Sequence, residues 1–171
     1  MEVVLTGLRG GAVPNDPQFV EQYQVTFDNG QSLAFGQPYE PQAMDMSQRS
    51  NQVGRDASQE AFRQANELVK TWDGQLVVIL IPTREEVYAQ WTAEQLGDDF
   101  DKIESARLAM LDICDELDLL CYDPLDDLRA IAQDSDLLYY YDDAHLNAYG
   151  NHVFAGLVQA WLDEQGLLPQ Y

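Results

Sequence analysis

Six apolar residues in a row, Leu76-Val77-Val78-Ile79-Leu80-Ile81, stand between two long helical patterns and stop at Pro82. A strand with one wet face alternates apolar and polar residues. This unbroken, β-branched run leaves no face for water, which is the pattern of a parallel strand covered by helices on both sides. It is far too short to cross a bilayer. The chain around it must therefore supply helices to cover the strand, and further strands to flank it.

The flanking rhythm provides both. Asp56 is placed to cap a helix that carries Ala57, Ala61, Phe62, Leu68 and Trp72 along one face, and Gly74 helps to end it. Thr83-Arg84-Glu85-Glu86 reads as a capping box, in which hydroxyl and carboxylate satisfy each other's exposed N–H groups at a helix start. A second long helix carries Ile103, Ala106, Met110, Ile113 and Leu117, and leads to a short strand at Leu119–Tyr122. Pro124 opens a short helix, Leu137 to Tyr141 is extended, and Asn147 caps a last helix with Val153, Phe154, Leu157 and Trp161 inward. Strands separated by helices of this length predict a three-layer α/β/α sandwich with a mainly parallel sheet. In such folds the active groups gather at the carboxyl ends of the strands.

Residues 1–55 read differently. The runs Tyr23 to Phe27 and Gln31 to Phe35 flank Asp28-Asn29-Gly30, a hairpin signal because Asn and Gly accept positive φ. Residues 37–54 have loop composition. The chain is one domain of 171 residues, with a hairpin and loop-rich segment at 1–55 and the α/β portion at 56–171.

Nine Lys and Arg stand against 30 Asp and Glu, a formal charge of -21. So acidic a surface repels phosphate backbones and anionic lipid, which argues against nucleic-acid and polybasic membrane binding. Cys114 and Cys121 fall on a helix stripe and in a short strand, so two buried free thiols are expected rather than a bridge. The start, Met1-Glu2-Val3-Val4-Leu5-Thr6, lacks the basic residues and long apolar run of a signal peptide. No transmembrane segment is expected in the chain, and the location of a longer parent, which can be extracytoplasmic, is not readable.

The chemistry-bearing stretch is Tyr139-Tyr140-Tyr141-Asp142-Asp143-Ala144-His145-Leu146-Asn147-Ala148-Tyr149-Gly150. A neutral imidazole can take the proton of an attacking hydroxyl and return it to the leaving alcohol, provided a carboxylate fixes its tautomer. An Asp three residues before a His on a turning loop can reach back to it, so Asp142 orients His145, with Asp143 the alternative orienter. His152, seven residues beyond His145, would form a metal pair only with nearby carboxylates; a partly solvated helix His is the plainer reading.

This stretch resembles the last block of the SGNH (GDSL-type) esterase and acyltransferase superfamily: an aromatic strand, Asp-x-x-His, a following Asn, a Gly and a closing helix. Leu76 to Tyr88 and Leu119 to Leu125 are similar to the strands and turns upstream of that block. The resemblance covers roughly 56–168 and implies an SGNH/flavodoxin-like sandwich, here incomplete. It also implies a serine ester hydrolase or O-acyltransferase that needs no metal or organic cofactor and acts on an ester or an acylated glycan or lipid. Only Asp142 and His145 carry over. The superfamily's Gly-Asp-Ser nucleophile block, and the Gly and Asn that complete its oxyanion hole, have no counterpart in this sequence. The nucleophile is then expected upstream in a longer parent or on a separate chain. The competing expectation is a non-catalytic acidic α/β module.

Overall fold

The computed structural model describes residues 24–36 and 39–168. The start read for a leader, residues 1–6, lies outside them, as does Tyr23. Among the described residues the fold is mixed α/β with two small sheets. Strands β1 (Gln24–Thr26) and β2 (Ser32–Ala34) form the expected antiparallel hairpin, with Val25 opposite Leu33. Its turn closes through Gly30, whose φ of 81° is the left-handed region that glycine enters without a Cβ penalty. The hairpin is no satellite of the α/β portion. Leu33 is fully buried in the main cluster with Leu128, Leu138 and Tyr139.

Of residues 37–54, read as loop, those described are largely helical. Helix α1 (Tyr39–Met44) and the start of α2 (Arg49–Lys70) occupy them, so the 55/56 boundary falls inside a helix and Asp56 caps nothing. Polar bonding, invisible to hydrophobic periodicity, organises this corner. The Asp45 carboxylate accepts from the Ser47 N–H and Gln48 Nε2, both at 2.9 Å, and Asn51 Nδ2 donates to the Gln42 and Asp45 carbonyls. Helix α2 also departs from expectation in its packing. Among its residues none is fully buried, and Leu68 and the adjoining Trp72 are 56% and 63% exposed.

The second sheet pairs β3 (Val77–Ile79) with β4 (Leu120–Tyr122) in parallel, Val78 beside Cys121. The long apolar run is thus a strand, yet among the described residues it has one neighbour and lies at an edge. A full three-layer sandwich is absent from the described residues. After Pro82 come α3 (Arg84–Val87), α4 (Ala89–Leu96) and α5 (Asp98–Glu116). The chain then reverses through Asp118, at φ 49°, into β4. That reversal carries Cys114 back over Cys121, 6.2 Å apart at Cα, and the two form a disulfide. The expectation of free thiols fails because seven residues of sequence separation say nothing about a chain that folds back within them.

Helix α3 is short but heavily anchored. The Thr83–Glu86 capping box forms as read, and Glu86 also accepts from Arg107 Nε at 2.7 Å. Arg107 bridges on to Asp123 at 2.6 Å, and Arg129 Nε donates to the Glu86 carbonyl at 2.9 Å. Beneath it Arg84 and Glu85, both fully buried, pair at 3.0 Å, with Glu40 3.7 Å from the guanidinium. Such pairs add little net stability, but deleting one partner strands a buried charge. They fix α3, and α3 carries the residues that hold the candidate site: Pro82 before it and Tyr88 after it.

Helix α6 (Leu125–Asp134) buries Leu125 and Leu128, and α7 (Ala148–Glu164) is the last described helix. Val153, Phe154 and Leu157 of α7 pack on the main cluster, and Trp161 stacks on Tyr122 at 5.1 Å between ring centroids.

Candidate active-site loop

The extended segment before α7 does not join the parallel sheet. It pairs with its own return: Tyr139 bridges antiparallel to Leu146, and the Tyr140 N–H donates to the His145 carbonyl at 3.2 Å. Two phenols, its own Tyr139 and Tyr88 from the turn after α3, tie it to the rest of the fold. Tyr139 Oη donates to the Pro82 carbonyl at 2.6 Å, and the Leu138 N–H donates to Tyr88 Oη at 3.0 Å. Burial pushes the Tyr139 phenol up from its ordinary value, so it stays a donor throughout the physiological range. Because Pro82 ends the run from β3, these bonds hold the loop at the carboxyl end of that strand. That is the edge the sequence assigned.

Asn147 locks the other side. Its Oδ1 accepts the Gly150 N–H at 2.8 Å as an N-cap, while its N–H donates to the Leu138 carbonyl at 2.9 Å. Gly150 is buried against that carbonyl. Between these anchors the chain turns outward to expose Tyr140, Ala144 and His145 before Leu146 returns to the core.

His145 lies at the tip, its side chain 83% exposed. The carboxylate at its Nδ1 is that of Asp143, which also accepts the His145 backbone N–H at 3.0 Å. The ring bond, first, and the backbone N–H hold the Asp143 carboxyl below the usual range against a modest burial cost. With Nδ1 so engaged and the side chain so exposed, Nε2 is left open to solvent. Asp142, the first-ranked orienter, lies half-buried beneath the turn. Burial pushes its carboxyl up, partly offset by its own backbone N–H and by Arg84. The structure therefore brings His145 and Asp143 together, and places Asp142 next to the pair but off the ring.

Tyr140 and Tyr149 flank the imidazole in sequence and are 51% and 40% exposed. His152 is exposed on α7. Among the described residues no group of three or more His, Cys, Asp and Glu is arranged to hold a metal ion. No described serine, threonine or cysteine bonds the imidazole; Ser135 Oγ, the nearest in sequence, donates to the Asp136 carbonyl. No described helix is long and apolar enough to cross a membrane.

Sequence reasoning missed the two phenol anchors and the close approach at Gly150. A Tyr in an aromatic run carries no label for the carbonyl it will meet. Gly150, three residues past the capping Asn147, was a legible signal for tight packing. No family model, curated protein or solved structure matches the chain.

Proposed function

We propose that this chain supplies the acid–base half of a serine ester hydrolase or O-acyltransferase of the SGNH type, within a three-layer α/β/α sandwich that further strands complete. The observation that carries this reading is the Asp143–His145 pair: a carboxylate at Nδ1, an exposed imidazole, and a loop pinned to the carboxyl end of β3. Nε2 would take the proton of a serine hydroxyl as the oxygen attacks the ester carbonyl. It would return that proton to the departing alcohol, leaving an acyl-serine for water or an acceptor alcohol. The developing imidazolium is stabilised by the carboxylate beside Nδ1. Asp143 makes that contact in the loop as described, while the superfamily spacing points to Asp142. The substrate is then an ester or an acylated glycan or lipid, met without metal or organic cofactor.

The second reading is a non-catalytic acidic module, favoured by the charge of -21 and by the lack of a described hydroxyl bonded to His145. Fluorophosphonate labelling and short-ester turnover separate the two. The chain alone should neither label nor exceed free imidazole. The chain expressed with its upstream coding sequence should do both, and His145→Ala should then cut turnover by about 10³-fold or more with folding intact. Labelling of a serine within residues 24–168, or unchanged turnover in His145→Ala, would sink the proposal.

A further inference from the structure

Six asparagines stand in the chain, and Asn29 alone is followed by glycine. The order matters chemically, because a backbone nitrogen can attack the side-chain amide of the residue before it when no Cβ crowds the approach. Asn29 and Gly30 are both exposed at the tip of the β1–β2 hairpin, and a Cβ built on Gly30 meets nothing within 4 Å. Solvent base and water therefore reach the bond from outside. The turn restrains the reacting groups from inside. The Gly30 N–H donates to the Phe27 carbonyl at 2.9 Å, which keeps its proton in place. One residue holds the Asn29 amide at both ends: Oδ1 accepts the Gln31 N–H, and Nδ2 donates to Gln31 Oε1, each at 2.9 Å. Gln31 Oε1 also accepts the Leu137 N–H at 3.2 Å, which ties this clamp to the segment entering the candidate loop.

We propose that Asn29 is a self-modification site, converting to aspartate and isoaspartate through a succinimide, and that Gln31 sets the rate by holding its amide. The Gly30 nitrogen loses its proton to solvent base and bonds to Asn29 Cγ. The Cγ–Nδ2 bond breaks, and the amide nitrogen takes up a proton and leaves as ammonia. Water then opens the ring, at the side-chain carbonyl to give aspartate or at the backbone carbonyl to give isoaspartate. Either product loses the Nδ2 donor and adds a negative charge beside Asp28. Isoaspartate also routes the main chain through the former side chain, lengthening a turn whose register pairs Thr26 with Ser32. The same hairpin buries Leu33 in the main cluster, so a change at its exposed tip reaches the core. Asn29 lines a cleft of about 570 Å³ together with Asp28, Asp134 and Asp136, and conversion gives that cleft a fourth carboxylate. The inference stands apart from the catalytic reading.

Incubation of the full chain in mildly alkaline buffer tests it, with peptide mapping by mass spectrometry following the amide-to-acid mass gain and isoaspartate at Asn29. The chain unfolded in urea should convert there about tenfold or more faster than the folded chain. Gln31→Ala removes the acceptor of Asn29 Nδ2 and should speed conversion in the folded chain about 2- to 10-fold, the worth of one hydrogen bond. Gln31→Glu keeps an acceptor and should hold close to the wild-type rate. Absence of acid at Asn29 in the unfolded chain overturns the site. A folded chain that converts as fast as the unfolded one, or a folded Gln31→Ala that converts no faster than wild type, overturns the clamp. The ratio of folded to unfolded wild type decides alone if Gln31→Ala does not fold.

Discussion

Replacing Gly150 by Ala inserts one methyl group where α7 meets the strand that carries the candidate loop. A Cβ built on Gly150 would lie 1.9 Å from the Leu138 carbonyl oxygen and 2.8 Å from its carbon. That is roughly 1.5 Å short of ordinary contact, and the obstacle is backbone, so the first turn of α7 must back away. The retreat pulls on the Asn147 cap and on the Asn147 N–H bond to the same Leu138 carbonyl. Overpacking of this kind costs about 1–3 kcal/mol and a weakened cap about 1 kcal/mol. Against these, Ala in place of Gly favours helix by up to about 1 kcal/mol. The net loss is about 2 kcal/mol, or about 4–8 °C of melting temperature for a domain of this length. Gly156 is the internal control: same helix, exposed, with nothing within 4 Å of a built Cβ. Gly156→Ala should gain up to about 1 kcal/mol from propensity alone. Circular-dichroism melts of the two variants measure both signs. A Gly150→Ala protein that melts at or above wild type would show that the contact with Leu138 is not made.

Other expectations follow from the same structure. Cys114→Ala/Cys121→Ala opens a loop of about eight residues and should cost about 2.5 kcal/mol, while the native chain in denaturant without reductant should show no thiol to a colorimetric reagent. Because the folded Asp143 carboxyl titrates below its unfolded value, its contribution is fully present above about pH 4 and fades as pH falls through the depressed value; wild type should show this acid-side loss and Asp143→Asn should not. Trp161→Ala removes a half-buried ring stacked on Tyr122, so denaturant melts should show a loss of about 1–2 kcal/mol, below the 3–5 kcal/mol of a fully buried aromatic.

What the sequence disclosed was what period and punctuation can encode. The Asn29-Gly30 turn, the Thr83–Glu86 box, the Asn147 cap and the strand at 77–79 all depend on neighbours within a few positions, and all are present. The start of α2 was missed because Asp45, Gln48 and Asn51 build it from side-chain hydrogen bonds with no apolar rhythm. The disulfide was missed because it depends on a reversal at Asp118 that requires a non-glycine residue at positive φ. At the site, spacing located the loop and both its carboxylates. It could not say which of two adjacent Asp residues the turn would aim at Nδ1, since adjacent side chains differ by a small rotation of backbone.

The two tyrosine hydroxyls that clamp the loop segment have a consequence for uniqueness. A strand held only by a ladder can slide two residues along its partner and recover every bond, keeping the same side chains inward. Here the Tyr139 phenol meets Pro82, and the Leu138 N–H meets the phenol of Tyr88. A slip one way puts Leu137, which has no phenol, opposite Pro82; a slip the other way puts Tyr141 there but forces the larger Tyr140 into the fully buried place of Leu138. The segment can occupy one registration or leave the surface altogether. The imidazole six residues on from Tyr139 inherits that all-or-none placement, although its own side chain stands almost wholly in water.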